Sequence, residues 1–175
     1  MYRSIVFLLK PKSEVAYLFA EDTLRQGLEK MHYHHYTAIP VIQKDGTYYG
    51  TVTEGDFLWE LVRREQYDIS QRIPIRETEA YYIHDIVRKG WNPAVKIYAT
   101  MQDLLVQVMD QNFVPVVDDR NVFSGIITRK DVIQHFANEQ LCRTESESDS
   151  AANFTASSLH SHPTSLVQQG TQINR

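Results

Sequence analysis

The globular part of this chain is written twice, and that repeat constrains the fold more than any single motif. The stretch from Pro40 through Val41, Gly50, Thr53 and Asp56 recurs as Pro115, Val116, Gly125, Thr128 and Asp131, at a constant offset of 75. Upstream, Thr23, Leu24, Leu28 and Met31 recur as Thr100, Met101, Leu105 and Val108 at an offset of 77, so the second copy is two residues shorter before its proline. A fixed-offset repeat indicates duplicated supersecondary units, each of which covers the apolar face of the other.

Each copy carries the same local signals. Leu24, Gly27, Leu28 and Met31 fall at i, i+3, i+4 and i+7, one face of a helix. Thr23 with Gln26 three residues on predicts a capping box at its start. The apolar run from Thr37 to Ile42 predicts a strand, Asp45-Gly46 a hairpin turn, and Tyr48 to Thr53 the returning strand. In the second copy Asn121 stands where Gly46 stood, and asparagine tolerates the left-handed conformation. A second helix is expected from near Asp56, with Phe57, Leu58, Leu61 and Val62. Ile83, Ile86 and Val87 predict a short helix before Gly90. The expected fold is therefore mixed α/β, two pseudo-symmetric β-α-β-β-α repeats packed through their sheets.

Composition fits a soluble globular protein: 42% hydrophobic and 23% charged residues. One cysteine, Cys142, excludes a disulfide scaffold, and at the edge of a polar tail it reads as incidental. No apolar run reaches the roughly 18 residues of a membrane span, and Ile5 to Leu9 is too short for a signal-peptide core, which predicts a cytoplasmic protein. A formal net charge of −4 is a poor footprint for nucleic-acid binding. The predicted organisation is a first repeat over 1–66 with its N-terminal segment, a linker with a short helix over 67–92, a second repeat over 93–141, and a disordered Ser/Thr-rich tail over 142–175.

The order helix, apolar strand, Pro-Val, turn, Gly, strand, Thr-x-x-Asp, helix, given in tandem between about Ile5 and Phe136, resembles a cystathionine-β-synthase (CBS) domain pair, or Bateman module. Tyr36-Thr37-Ala38-Ile39-Pro40-Val41 and the run from Asn112 to Lys130 look similar to small stand-alone CBS-pair proteins of Gram-positive bacteria, several of which bind cyclic di-AMP. The resemblance implies two clefts between the copies for adenine nucleotides (AMP, ADP, ATP or cyclic di-AMP), a homodimer of pairs, and an effector protein as downstream partner, with no catalytic residue, cofactor, metal or membrane role.

Thr-x-x-Asp at a helix start is also a plain capping arrangement. Functionally, a helix N-terminus offers free N–H groups to phosphate, and the resemblance implies that Asp56 and Asp131 accept ribose hydroxyls. Arg129 and Lys130 place two cations where Glu54 and Gly55 stand in the first copy. Charges about 4 Å apart interact by about 4 kcal/mol at an effective dielectric near 20, so the sites are expected to be unequal. Two cations at a helix N-terminus oppose its dipole, which favours an anion there. The implied main site is Ala16, Tyr17, Tyr36, Thr37, Ala38 and Pro40 with Thr128, Arg129, Lys130 and Asp131. The second, weaker site is Val95, Ile97, Asn112, Phe113 and Val114 with Thr53 and Asp56, with Phe113 filling the base pocket. Glu14 departs from the pattern, since some cyclic di-AMP-binding relatives carry lysine there. His32, His34 and His35 lack a carboxylate or cysteine at ligand spacing and read as loop histidines. The alternative to a sensor is a ligand-free dimerisation scaffold whose clefts are packed by side chains.

Overall fold

The computed structural model describes residues 4–64 and 79–141. The expected tail and the first part of the expected linker, like Cys142, lie outside the described residues.

Strand β1 (Lys10–Pro11) is followed by β2 (Leu18–Phe19), α1 (Leu24–His34), β3 (Ala38–Ile42), β4 (Tyr48–Thr53) and α2 (Glu54–Arg64). After the undescribed stretch come α3 (Ile83–Ile86), β5 (Val95–Lys96), α4 (Met101–Asp110), β6 (Phe113–Val117), β7 (Phe123–Thr128) and α5, which spans 129–141. The predicted β-α-β-β-α order is present twice. Both first helices start in a capping box: Thr23 with Gln26 at α1, and Thr100 with Asp103 at α4. Each satisfies two of the backbone N–H groups that a helix start leaves open. The two hairpins also match. Gly46 has φ 89° and Asn121 φ 64°, so the residue that replaced glycine does adopt the left-handed form.

In the first sheet β2 runs parallel to β3 and β3 antiparallel to β4; in the second, β5 is parallel to β6 and β6 antiparallel to β7. The ladders slip at the same place, between Val41 and Ile42 and between Val116 and Val117. The duplication thus extends to the irregularities.

The halves meet at their hairpins in a reciprocal pair of hydrogen bonds. Tyr48 N–H donates to Asn121 O and Phe123 N–H to Gly46 O, both at 2.9 Å. Behind them Val15, Ile42 and Phe123 form a buried cluster, with Tyr17, Phe19, Tyr48 and Ile126 packed on it. The Tyr48 and Phe123 rings stack at 6.2 Å. The copies are therefore joined through their sheets.

The segment before each copy is exchanged. The N-terminal segment, which the repeat pattern attaches to the first copy, pairs with the sheet of the second: Lys10 lies opposite Ile126 and Pro11 opposite Gly125. Conversely, Ile83, Ile86 and Val87 are buried in the core of the first copy with Leu24, Ile39 and Phe57. Single bridges mark the same exchange at the two helix starts, Ser4 to Thr100 and Thr23 to Tyr82. Glycines make room for it. A Cβ on Gly50 would lie 2.3 Å from Val87 Cγ1, and one on Gly125 would lie 2.0 Å from the Lys10 carbonyl oxygen.

The first repeat and the second as far as Ile133 lie in one compact unit. The helix continues to 141, with Gln134 donating to Asn138 at 3.3 Å. No helix among the described residues is long and apolar enough to cross a membrane.

Candidate functional site

The Thr-x-x-Asp turns do first what capping chemistry requires. Asp56 Oδ2 accepts from the Thr53 N–H at 2.8 Å and from its hydroxyl at 2.7 Å. Thr128 Oγ1 donates to Asp131 Oδ2 at 2.5 Å. Each carboxylate then meets a cation from the exchanged segment. Arg88 Nε lies 2.8 Å from Asp56 Oδ1, and Lys10 Nζ lies 3.1 Å from Asp131 Oδ2. Burial pushes the Asp131 carboxyl up, but the Thr128 hydroxyl and the Lys10 ammonium outweigh it, and the net position is below the ordinary carboxylate value. Both turns are thus pre-neutralised by residues distant in sequence.

A cleft of 270 Å³ opens beside the first of these turns. One wall is Thr37, Ala38, Thr51 and Thr53 of the first repeat; the other is Trp91, Asn92 and the run from Asp110 to Phe113. Register explains the first wall: Ala38 pairs with Thr53, and Thr51 and Thr53 point to the same face of β4. Thr53 also borders an adjoining space of 490 Å³ lined by Gly55, Asp56, Trp59, Arg63 and Arg88. Arg88 links the two, because its guanidinium lies 4.0 Å from the centre of the Trp91 ring. The larger space falls within the roughly 300–1,000 Å³ of small-molecule sites, and the smaller just below it.

Thr53, Asn112 and Phe113 of the expected weaker site therefore come together, and Thr37 and Ala38 of the expected main site join them. Phe113 is 8% exposed and forms wall rather than plug. Val95 and Val114 are buried in β5 and β6, Ile97 is half-buried, and Pro40 is buried in β3 opposite Thr51. Arg88 and Arg63 line the space beside Glu54 and Gly55, but they share it with Asp56, Glu60 and Asp85 and pair with the first two of these, so the space carries both signs of charge rather than a free cation. Arg88 stands 32 residues after Asp56, and only the exchange of segments brings the two together.

The second turn needs a correction. Arg129 was expected to face a phosphate at the start of its own helix. Its guanidinium instead donates to the carbonyls at the end of α4: Nε to Val108 O at 2.8 Å and to Gln111 O at 3.1 Å, and an Nη to Met109 O at 3.4 Å. A cation unfavourable at one helix's N-terminus is favourable at another's C-terminus, so the dipole argument for an anion lapses at Arg129. Lys130 is exposed. Ala16 packs on the first core, and Tyr36 is 36% exposed and stacks on His34. Tyr17 lies under two ammonium groups, Lys12 at 5.1 Å and Lys30 at 5.7 Å. His35 closes α1 in the left-handed conformation.

A family profile described as "CBS domain" matches residues 7–63 and 83–138. The chain belongs to the CBS domain family. The second match opens at the exchanged helix α3 rather than after it. Solved CBS-pair proteins share the fold. CbpB in complex with c-di-AMP is 22% identical, with a TM-score of 0.72 over 83% of this chain and 91% of that one. CbpB of Listeria monocytogenes, also in complex with c-di-AMP, is 20% identical, with a TM-score of 0.65 over 77% and 95%. CBSX2 in complex with AMP, a CBS-pair protein known from Arabidopsis thaliana, is 21% identical, with a TM-score of 0.62 over 78% and 98%. A search of curated proteins returned no match.

Proposed function

We propose that this CBS pair is a regulatory module that binds an adenine nucleotide in the cleft between its repeats and signals through its dimer or through a surface offered to an effector protein. The observation that carries the reading is the shared wall at Thr53: a cleft whose lining includes Ala38, Trp91 and Phe113 adjoins a polar space with Asp56 and Arg88. A purine suits the first, and a ribose phosphate suits the second. That CBS-pair structures have been solved with c-di-AMP and with AMP supports the ligand class. Leu58 and Trp59 on α2 and Val106 and Met109 on α4 are more than half exposed, which supports a dimer built on these helices.

A ligand signals only if it binds two conformations unequally. Here the Asp56–Arg88 pair is the element it has to rearrange, because a ribose and that guanidinium compete for one carboxylate. The test is a thermal-shift panel of AMP, ADP, ATP and cyclic di-AMP. A ligand at 100 times its Kd adds about 2.7 kcal/mol and raises Tm visibly. The second reading, a ligand-free scaffold, is favoured by both carboxylates being already ion-paired. Flat melts across the panel decide for the scaffold.

A further inference from the structure

Asn92 is 5% exposed and lies in the wall of the cleft. Its amide is held in one orientation. Nδ2 donates to Thr51 Oγ1 and to the Phe113 carbonyl, each at 3.3 Å. Tyr48 O–H donates to the main-chain carbonyl of Asn92 at 2.8 Å and contacts Thr51 Oγ1 at 2.8 Å. The phenol has one proton, so the Thr51 hydroxyl donates to Tyr48, and the ring Asn92, Thr51, Tyr48, Asn92 closes. Burial pushes the Tyr48 phenol far up, which keeps that proton in place. Turning the amide over would set Oδ1 against the Phe113 carbonyl, acceptor against acceptor. With Nδ2 committed, Oδ1 is a buried acceptor with no hydrogen-bond partner. Buried acceptors are nearly always paired, and an orphan calls for an explanation.

We propose that Asn92 Oδ1 is the specificity determinant of this cleft: it accepts the exocyclic amine of a 6-aminopurine and so selects adenine over purines that lack that donor. The inference rests on the adenine-nucleotide reading and deepens it. The placement fits. Thr51, which holds Asn92, is two residues inward of Thr53 along β4 and is 1% exposed, whereas Thr53 leads outward to Asp56 and Arg88. Asn92 therefore stands at the inner, base end, beside Phe113. The first copy has Val15 at the corresponding position, 77 residues earlier, so this reading belongs to one cleft only. A site whose buried polar group is matched by one ligand and left unpaired by another discriminates strongly, and a ligand carbonyl facing Oδ1 is worse still.

The experiment is calorimetric titration of the full chain with AMP, purine riboside 5′-monophosphate (hydrogen at position 6) and IMP (carbonyl at position 6). The expected order is AMP, then the riboside, then IMP, with at least about tenfold between AMP and IMP. In Asn92→Leu the three affinities converge. Equal affinities in the unmodified protein overturn the inference without any variant, which covers a leucine variant that does not fold. An order that persists in a folded Asn92→Leu protein also overturns it. If AMP binds but the order is flat, this inference alone falls. If no adenine nucleotide binds, the proposed function falls with it.

Discussion

Arg88 Nε lies 2.8 Å from Asp56 Oδ1, an ion pair between the segment that precedes the second repeat and the helix that closes the first. The Asp56 side chain is only 9% exposed, so the pair is not an ordinary surface contact. Asp56→Ala removes both the cap on Thr53 and the partner of Arg88. It is expected to lower unfolding free energy by about 1–3 kcal/mol, read from the urea midpoint. It also weakens AMP binding in calorimetry, whereas Arg88→Gln, which frees the carboxylate, costs stability and leaves a ribose acceptor in place.

Gly125 carries φ 154° and has the Lys10 carbonyl oxygen 2.0 Å from where a Cβ would stand. Backbone cannot swing aside as a flexible side chain can. Gly125→Ala is expected to break the β1–β7 pairing and cost about 2–4 kcal/mol. Hydrogen exchange localises the damage: amides of β7 around Ile126 lose protection, while those of β4 keep theirs.

Asp131 has a carboxyl held below its ordinary value in the fold. A group with a depressed native pKa binds fewer protons folded than unfolded, so its stabilisation is complete above the ordinary value and is lost as pH falls through the native one. Urea unfolding at pH 5 and at pH 3 is therefore expected to show a smaller loss on acidification for Asp131→Asn than for the unmodified protein. Lys10→Ala reduces the loss in the same direction, because Lys10 is one of the groups that depress the carboxyl. Identical pH dependence in all three proteins contradicts the assignment.

Arg129 holds the last carbonyls of α4. Arg129→Ala is expected to destabilise the ligand-free protein by about 1–2 kcal/mol. Titration of AMP gives the contrast: Arg129→Ala leaves the AMP affinity of the cleft beside Thr53 unchanged, and Asn92→Leu lowers it.

The repeat, the helix faces, both Thr caps on the first helices and the left-handed Asn121 turn were legible because each depends on residues within a turn or two of one another. The cleft was legible only in part. Thr53 has its counterpart in Thr128 and Phe113 in Ala38, so the repeat pattern found both. Asn92 carries no local signal at all; an asparagine before a proline reads as loop chemistry. Its meaning comes from Thr51 and Phe113, 41 and 21 residues away. Arg129 is not readable locally, because a charge beside one helix start is held by the carbonyls that end another helix.

Periodicity and the fixed offset determined that this chain makes two similar halves, since hydrophobic spacing and capping are local properties written directly in residue order. Which half each connecting segment covers was decided only in three dimensions. The first residues pair with the second sheet and α3 fills the first core, because each half lacks an edge or a helix that only the other half's leading segment supplies. From that exchange come the cations at Asp56 and Asp131, and with them the charge of the site.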